Sequence, residues 1–123
     1  MDSEVIAVEV EMAMLGEIGV AYERPEFVAR FLGMHDDDFR DALDADCLAL
    51  TGASLPADFL EKVYARRRAE MATRLRAVEG AADAVAAWSG PKAVASSSRT
   101  PFLRRKLEPV SYTHLTLPTK RIV

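Results

Sequence analysis

The chain reads as mostly helical, with a four-helix bundle attached to an incomplete, Rossmann-like α/β core that carries one strand of a parallel sheet. Two observations carry that reading. Between Ser3 and Val78, four amphipathic segments are separated only by short stretches of breaker residues, the pattern of a helical bundle. After Gly80 the order changes to a short helix, a turn, the apolar run Lys92-Ala93-Val94-Ala95 and a further helix. That order belongs to an α/β layer rather than to a bundle.

The first helix opens at Asp2 and Ser3, both natural caps, with Glu4 favouring its positive end. Val5, Val8, Met12 and Leu15 recur at helical spacing and define an apolar face, which Ile6, Val10 and Met14 widen. Such a helix is expected to be covered on more than one side, and Gly19 to stop it. Met12 and Met14 are read as core residues rather than as the lining of a cavity.

Pro25 suits the first turn of a second helix running to Leu32, and Gly33 ends it. The loop Gly33-Met34-His35 leads into Asp36-Asp37-Asp38, three charges suited to a helix start. Consecutive helical positions point about 100° apart, so these acids cannot converge on one metal ion. In the third helix Phe39, Leu43, Cys47 and Leu50 form an apolar stripe, which makes Cys47 a small core residue rather than a nucleophile. His35 either contacts a ligand from its loop or caps the helix behind it.

Thr51 to Pro56 is a breaker-rich loop. The fourth helix follows from about Ala57, with Leu60, Tyr64, Met71, Leu75 and Val78 on one face. Arg67 or Arg68 interrupts that face, and must lay its stem on the core while its head reaches outward. Ala81 to Trp88 makes the short helix, and Ser89-Gly90-Pro91 turns into the apolar run.

That run is expected to be a buried strand ending at Ser96-Ser97-Ser98, with Pro101 in the first turn of the helix beyond. Open α/β sheets bind ligands at the carboxyl ends of their strands, and the free N–H groups of a following helix suit an anion. A phosphate oxygen there would accept bonds from the Ser96 hydroxyl and from backbone N–H groups just after it, starting at Ser97. The competing role for Ser97 or Ser98 is a plain helix cap. One strand without a partner makes no sheet, since its ladder groups need neighbours. The chain is therefore expected to be a piece of a larger α/β protein, with its unpaired edge a route to self-association.

Charge and composition narrow the function classes. Residues 1–60 hold 14 acids and 3 bases (−11), and residues 61–123 hold 5 acids and 13 bases (+8). The bases lie on predicted helices beside an acidic helical half, so mutual pairing is the better account than nucleic acid. No aromatic residue interleaves Arg66-Arg67-Arg68, as single-strand binding would want. No run approaches the roughly 20 apolar residues of a membrane span. The acidic start is wrong for a signal peptide, and the single Cys47 allows no internal disulfide. A cytoplasmic location is expected. No Gly-x-Ser-x-Gly elbow surrounds Ser96, which removes a serine-hydrolase reading.

Together these residues resemble the haloacid dehalogenase superfamily, in the branch with a helical cap inserted after the first core strand. Asp2-Ser3-Glu4 matches the end of its first motif, Asp-x-Asp-Gly-x-Leu-x-Asp-Ser-Glu. Gly33-Met34-His35 with Phe39 is similar to the cap loop that contacts substrate, with His35 standing where Ser or Thr is usual. Val78-Glu79-Gly80 resembles the Pro-Gly return from cap to core, with Glu79 replacing the proline. Lys92 to Ser98 looks like the second motif, whose strand-end hydroxyl, here Ser96 with Ser97 beside it, holds the phosphate.

The resemblance implies a cap at residues 3–78, a partial core at 79–108, and a phosphatase that hydrolyses a sugar phosphate or similar small monoester. In that family the first motif's two aspartates are nucleophile and general acid/base, placed seven and five residues before Asp2. They would precede Met1, and the later Lys and acidic motifs that help hold Mg²⁺ would lie beyond Glu108. The catalytic set and the metal ligands are thus expected to be absent, and the chain inactive. The rival readings are a β-phosphoglucomutase-like phosphoryl transfer enzyme and a non-enzymatic helical interaction module. Pro109 to Val123 loses all helical pattern and resembles a translated artefact of library-adapter sequence, so it is expected to be non-native.

Overall fold

In a computed structural model of the chain, the structure describes residues 3–94, 96 and 100–108, which form six helices. These are α1 (Ser3–Glu17), α2 (Arg24–Phe31), α3 (Asp36–Thr51), α4 (Phe59–Arg74), α5 (Ala81–Ala87) and α6 (Thr100–Leu107). The chain divides into two compact units within α4. One unit is Glu4–Arg68; the other begins at Ala69 and takes in the first three residues. The sequence had pointed to a division after Val78. Helix α4 runs unbroken past Arg68, so a boundary by compactness falls inside the helix.

The Glu4–Arg68 unit holds α2, α3 and most of α1 and α4, the four expected helical segments. Helix α1 buries Ile6, Ala7, Val8, Val10, Met14 and Leu15, two sides of its surface. Val5 is exposed and Met12 only half-buried, so the inward face is turned toward the Ile6–Val10–Met14 row. Both rows fit a helical face, and periodicity alone cannot choose between them. Helix α1 then closes in a Schellman turn. Gly19, at φ +86°, donates to the Gly16 carbonyl at 3.1 Å, and the Val20 N–H to the Leu15 carbonyl at 2.9 Å. Val20 and Leu15 are both fully buried, the apolar pairing such a turn favours.

Helix α2 has Pro25 in its first turn and buries Phe27 and Phe31. These rings meet Phe39 of α3 and Tyr22 of the preceding loop, with the Phe31–Phe39 centroids 5.4 Å apart and the Tyr22–Phe31 centroids 5.5 Å apart. Most pairs lie edge to face, the arrangement favoured by the ring quadrupole. Helix α3 buries Phe39, Leu43 and Cys47, as expected, but Leu50 is exposed. Leu50 lies near the end of α3, which stops at Gly52 in a left-handed cap. The Thr51 hydroxyl turns back to the Cys47 carbonyl at 2.8 Å.

In α4 the buried residues are Phe59 and Val63, one position ahead of the predicted Leu60–Tyr64 row, which is half-buried. The helix ends at Arg74 rather than at Val78. The Arg76 guanidinium donates to the Thr73 and Leu75 carbonyls, both at 3.0 Å, satisfying groups that a continuing helix would have bonded. Leu75 is fully buried, whereas Val78 is exposed.

In the second unit, α5 starts after Gly80, whose φ of +75° makes it a left-handed residue at the helix entrance. The helix buries none of its own side chains, and Trp88 at its end is exposed. The predicted strand is corrected here. Among the described residues there is no strand, only a single bridge residue at Ala93. Ala93 is exposed and Lys92 and Val94 half-buried, so the run is not the buried strand that its composition suggested. A strand requires a continuous ladder, and the described residues supply none. Helix α6 buries Leu103 and Leu107 and leaves Phe102 exposed. The segment Pro109 to Val123 lies outside the described residues.

Candidate functional site

Ser96 is half-buried, three residues after Ala93 and four before the start of α6. Ser97 lies outside the described residues. Gly33 and His35 belong to the other unit, where they share the loop between α2 and α3. Gly33 sits at φ +84°, a left-handed conformation that L side chains rarely adopt. The turn is closed by the Met34 N–H bonding to the Phe31 carbonyl at 3.0 Å. His35 is the residue before α3, and its side chain makes no capping bond, so capping does not account for it. His35 and Met34 are both exposed on this loop, free in chemistry to meet a ligand.

Asp36, Asp37 and Asp38 are exposed in the first turn of α3. Among the described residues no three His, Cys, Asp or Glu side chains are grouped to hold a metal ion. The Mg²⁺ that the resemblance implies therefore finds no ligand set among them, and no step is assigned to it.

Two polar clusters in the Glu4–Arg68 unit escaped the sequence reading. In the first, Glu11 of α1 accepts a bond from the Arg67 guanidinium of α4 at 3.0 Å, with side-chain exposures of 12% and 25%. Arg67 also lies over the Tyr64 ring, 5.7 Å from its centroid. Burial raises the Glu11 carboxyl to about 6; Arg67 pulls it down, and the charges of Glu4 and Asp36 add to the rise. Burial, then the Asp36 charge, also raises the Tyr64 hydroxyl. A signal was present in the sequence. Glu11 stands between Ala7 and Leu15 at four-residue spacing, and both of those are buried.

In the second cluster Asp46 of α3 receives the Tyr22 hydroxyl at 2.5 Å and both terminal nitrogens of Arg30, at 2.5 and 2.9 Å. Burial opposes ionisation of Asp46, but the bonds from Arg30 and Tyr22 outweigh it and hold the carboxyl below its ordinary range. Arg30 stacks 4.9 Å from the centroid of Phe31, which joins this cluster to the aromatic one. It is a tie between three segments rather than a reactive centre, since both Asp46 carboxylate oxygens are already taken by Tyr22 and Arg30.

No family model matches the chain, and no curated protein matches it. A solved structure does: a conserved haloacid dehalogenase-like protein of unknown function from Agrobacterium tumefaciens. The two superpose with a TM-score of 0.74 at 23% identity, over 94% of this chain and 53% of that one. The fold is haloacid dehalogenase-like. This chain spans about half the length of the haloacid dehalogenase-like protein that it matches.

Proposed function

We propose that the chain is the cap and second-motif portion of a haloacid dehalogenase-type phosphatase acting on a small phosphate monoester, such as a sugar phosphate. The observation that supports this reading is the likeness to a haloacid dehalogenase-like protein over 94% of the chain, joined to the order of the motif residues. In the whole enzyme an aspartate carboxylate attacks phosphorus and the substrate's alcohol leaves with a proton from the second aspartate. Water then cleaves the aspartyl-phosphate and releases inorganic phosphate. In this reading both aspartates lie outside these 123 residues.

The chain's own contribution is positioning. The Ser96 hydroxyl donates to a phosphoryl oxygen, and the backbone N–H of Ser97 offers a second bond to the same group. Donors of this kind act by being fixed where charge develops, which is most of what phosphoryl transfer asks of a protein. The reading also gives the Gly33–His35 loop a contact with substrate, with imidazole where the family usually has a hydroxyl.

The test is an assay of the 123-residue protein, and of a form extended at both ends by the natural reading frame, against sugar phosphates with Mg²⁺ in the buffer. The short chain is expected to give no turnover. The extended form is expected to be active and to lose most activity on Ser96→Ala. Turnover in the short chain that vanishes with Ser96→Ala would show that these residues suffice. An extended form with no Asp-x-Asp-Gly before Asp2 and no turnover would defeat the phosphatase reading and favour a helical interaction module.

A further inference from the structure

Helix α2 has only eight residues, too few to be stable alone, so what fixes it is what it touches on α3. It touches α3 at two places. Arg30, in its last turn, donates from both terminal nitrogens to Asp46, and Phe31 packs against Phe39 with centroids 5.4 Å apart. Asp46 and Phe39 are seven residues apart, about 10 Å along the helix axis. Tyr22 closes the circuit between the two. Its hydroxyl donates to Asp46, and its ring meets Phe27 and Phe31 edge to face, both at 5.5 Å. The Gly33–His35 loop spans the gap from Phe31 to Phe39. The Met34 N–H bonds to the Phe31 carbonyl at 3.0 Å, and the Phe39 N–H to the His35 carbonyl at 2.9 Å. The loop backbone is thus tied at either end to one of the two aromatic residues. Leu32, Met34 and His35 are exposed, and the His35 side chain makes no capping bond.

We infer that Tyr22 and Asp46 are positioning residues for the Gly33–His35 loop. They fasten the end of α2 that launches the loop to the helix that receives it, so the loop is presented in one conformation. Ring packing alone is non-directional and leaves Phe31 free to slide on Phe39. A carboxylate that takes both arms of an arginine is directional, and it fixes the register that the rings leave open. Without the Tyr22–Asp46 bond the rings stay buried and the chain still folds. What is lost is the setting of Phe31 against Phe39, and with it the place of Met34 and His35. That the loop meets substrate rests on the phosphatase reading; that Tyr22 and Asp46 hold it does not.

The experiment reads the folded state directly, through NMR order parameters of the Met34 and His35 amides in the full 123-residue chain. Both are expected near about 0.85, the value of rigid backbone, and to fall toward about 0.6 in Tyr22→Phe and in Asp46→Ala. The Val10 and Val63 amides are expected to stay unchanged. The double variant should add little to either single one, because the two residues share one bond. Asp46→Asn keeps an oxygen for the tyrosine hydroxyl and is expected to restore part of the order. A loss of stability alone leaves the folded molecules as ordered as before. Met34 and His35 values that match the parent's in Tyr22→Phe would therefore overturn the inference, as would an equal fall at Val10 and Val63. Tyr22→Phe keeps every ring contact, so it decides the matter even if Asp46→Ala does not fold. In the form extended at both ends, Tyr22→Phe is expected to raise KM several-fold with kcat nearly unchanged. A lower kcat at unchanged KM would tell against positioning. An extended parent without turnover counts against the phosphatase reading instead, and the order parameters then decide the role of Tyr22 by themselves.

Discussion

Glu11 and Asp46 are both carboxylates tied to an arginine, yet they bias stability in opposite directions with pH. The Glu11 carboxyl is raised from 4.5 to about 6, so the folded state binds its proton more tightly than the unfolded chain does. Its contribution is largest below about 4.5 and is lost as pH rises through about 6, a span worth about 2 kcal/mol. The Asp46 carboxyl is lowered, so its contribution is present above the ordinary aspartate range and is lost as pH falls through the depressed value. Thermal denaturation of Glu11→Gln at pH 7.5 should therefore show a stability equal to or above that of the parent, with a flatter profile between pH 4.5 and 6.5. Asp46→Ala should instead lose about 1–2 kcal/mol at pH 7.5, after allowing for solvent screening of the partly exposed Arg30. A marked loss in Glu11→Gln at neutral pH would mean that the ion pair outweighs the burial of its carboxylate. Of these two clusters the sequence held only hints. Glu11 was legible as a charge in an apolar row, but Tyr22, Arg30 and Asp46 are too far apart in the chain for spacing to link them.

At the scale of elements, what was legible followed from breaker residues, and what was not followed from phase. Gly19, Gly33, Gly52 and Gly80 all have positive φ, and the breaks at Gly19, Gly33 and Gly80 were readable from the sequence. The phase of α4 was misjudged because it carries two apolar rows with the same spacing, whereas in α1 only Val5 and Met12 of the expected faces fall outside the core. Only tertiary packing distinguishes Phe59–Val63 from Leu60–Tyr64. Lys92 to Val94 depart from the expected buried strand for a different reason: strand propensity describes a fit to neighbours, and it cannot report whether they are present. The Schellman turn after α1 offers a direct test of an element boundary. A Cβ at Gly19 would meet the Thr51 Cγ2 at 3.4 Å, an ordinary contact, so the cost of Gly19→Ala lies in backbone conformation. Chemical denaturation is expected to show a loss of about 1–2 kcal/mol. A neutral result would mean that the turn can rearrange without its left-handed residue.

For the whole molecule, the charge asymmetry along the chain finds part of its physical meaning in the Glu4–Arg68 unit. Glu11 and Glu17 of α1 pair with Arg67 and Arg66 of α4, as the opposition of an acidic and a basic half had suggested. The haloacid dehalogenase-like fold was legible in the order of short motifs, none of which would have carried it alone. The final segment follows a different logic. Helix α6 finishes its apolar stripe with Leu103 and Leu107, and the fifteen residues from Pro109 continue neither its period nor its charge pattern. Their Thr and Tyr content favours extended backbone, which needs a ladder to be stable, and the preceding described residues carry only the one bridge position. Residues that bury little apolar surface add little to stability, because ordering them costs more conformational entropy than they return. Deleting Pro109–Val123 is therefore expected to leave the melting temperature nearly unchanged. A drop of several degrees, which in a domain of this size corresponds to about 1 kcal/mol or more, would show that the segment packs on the fold and belongs to it.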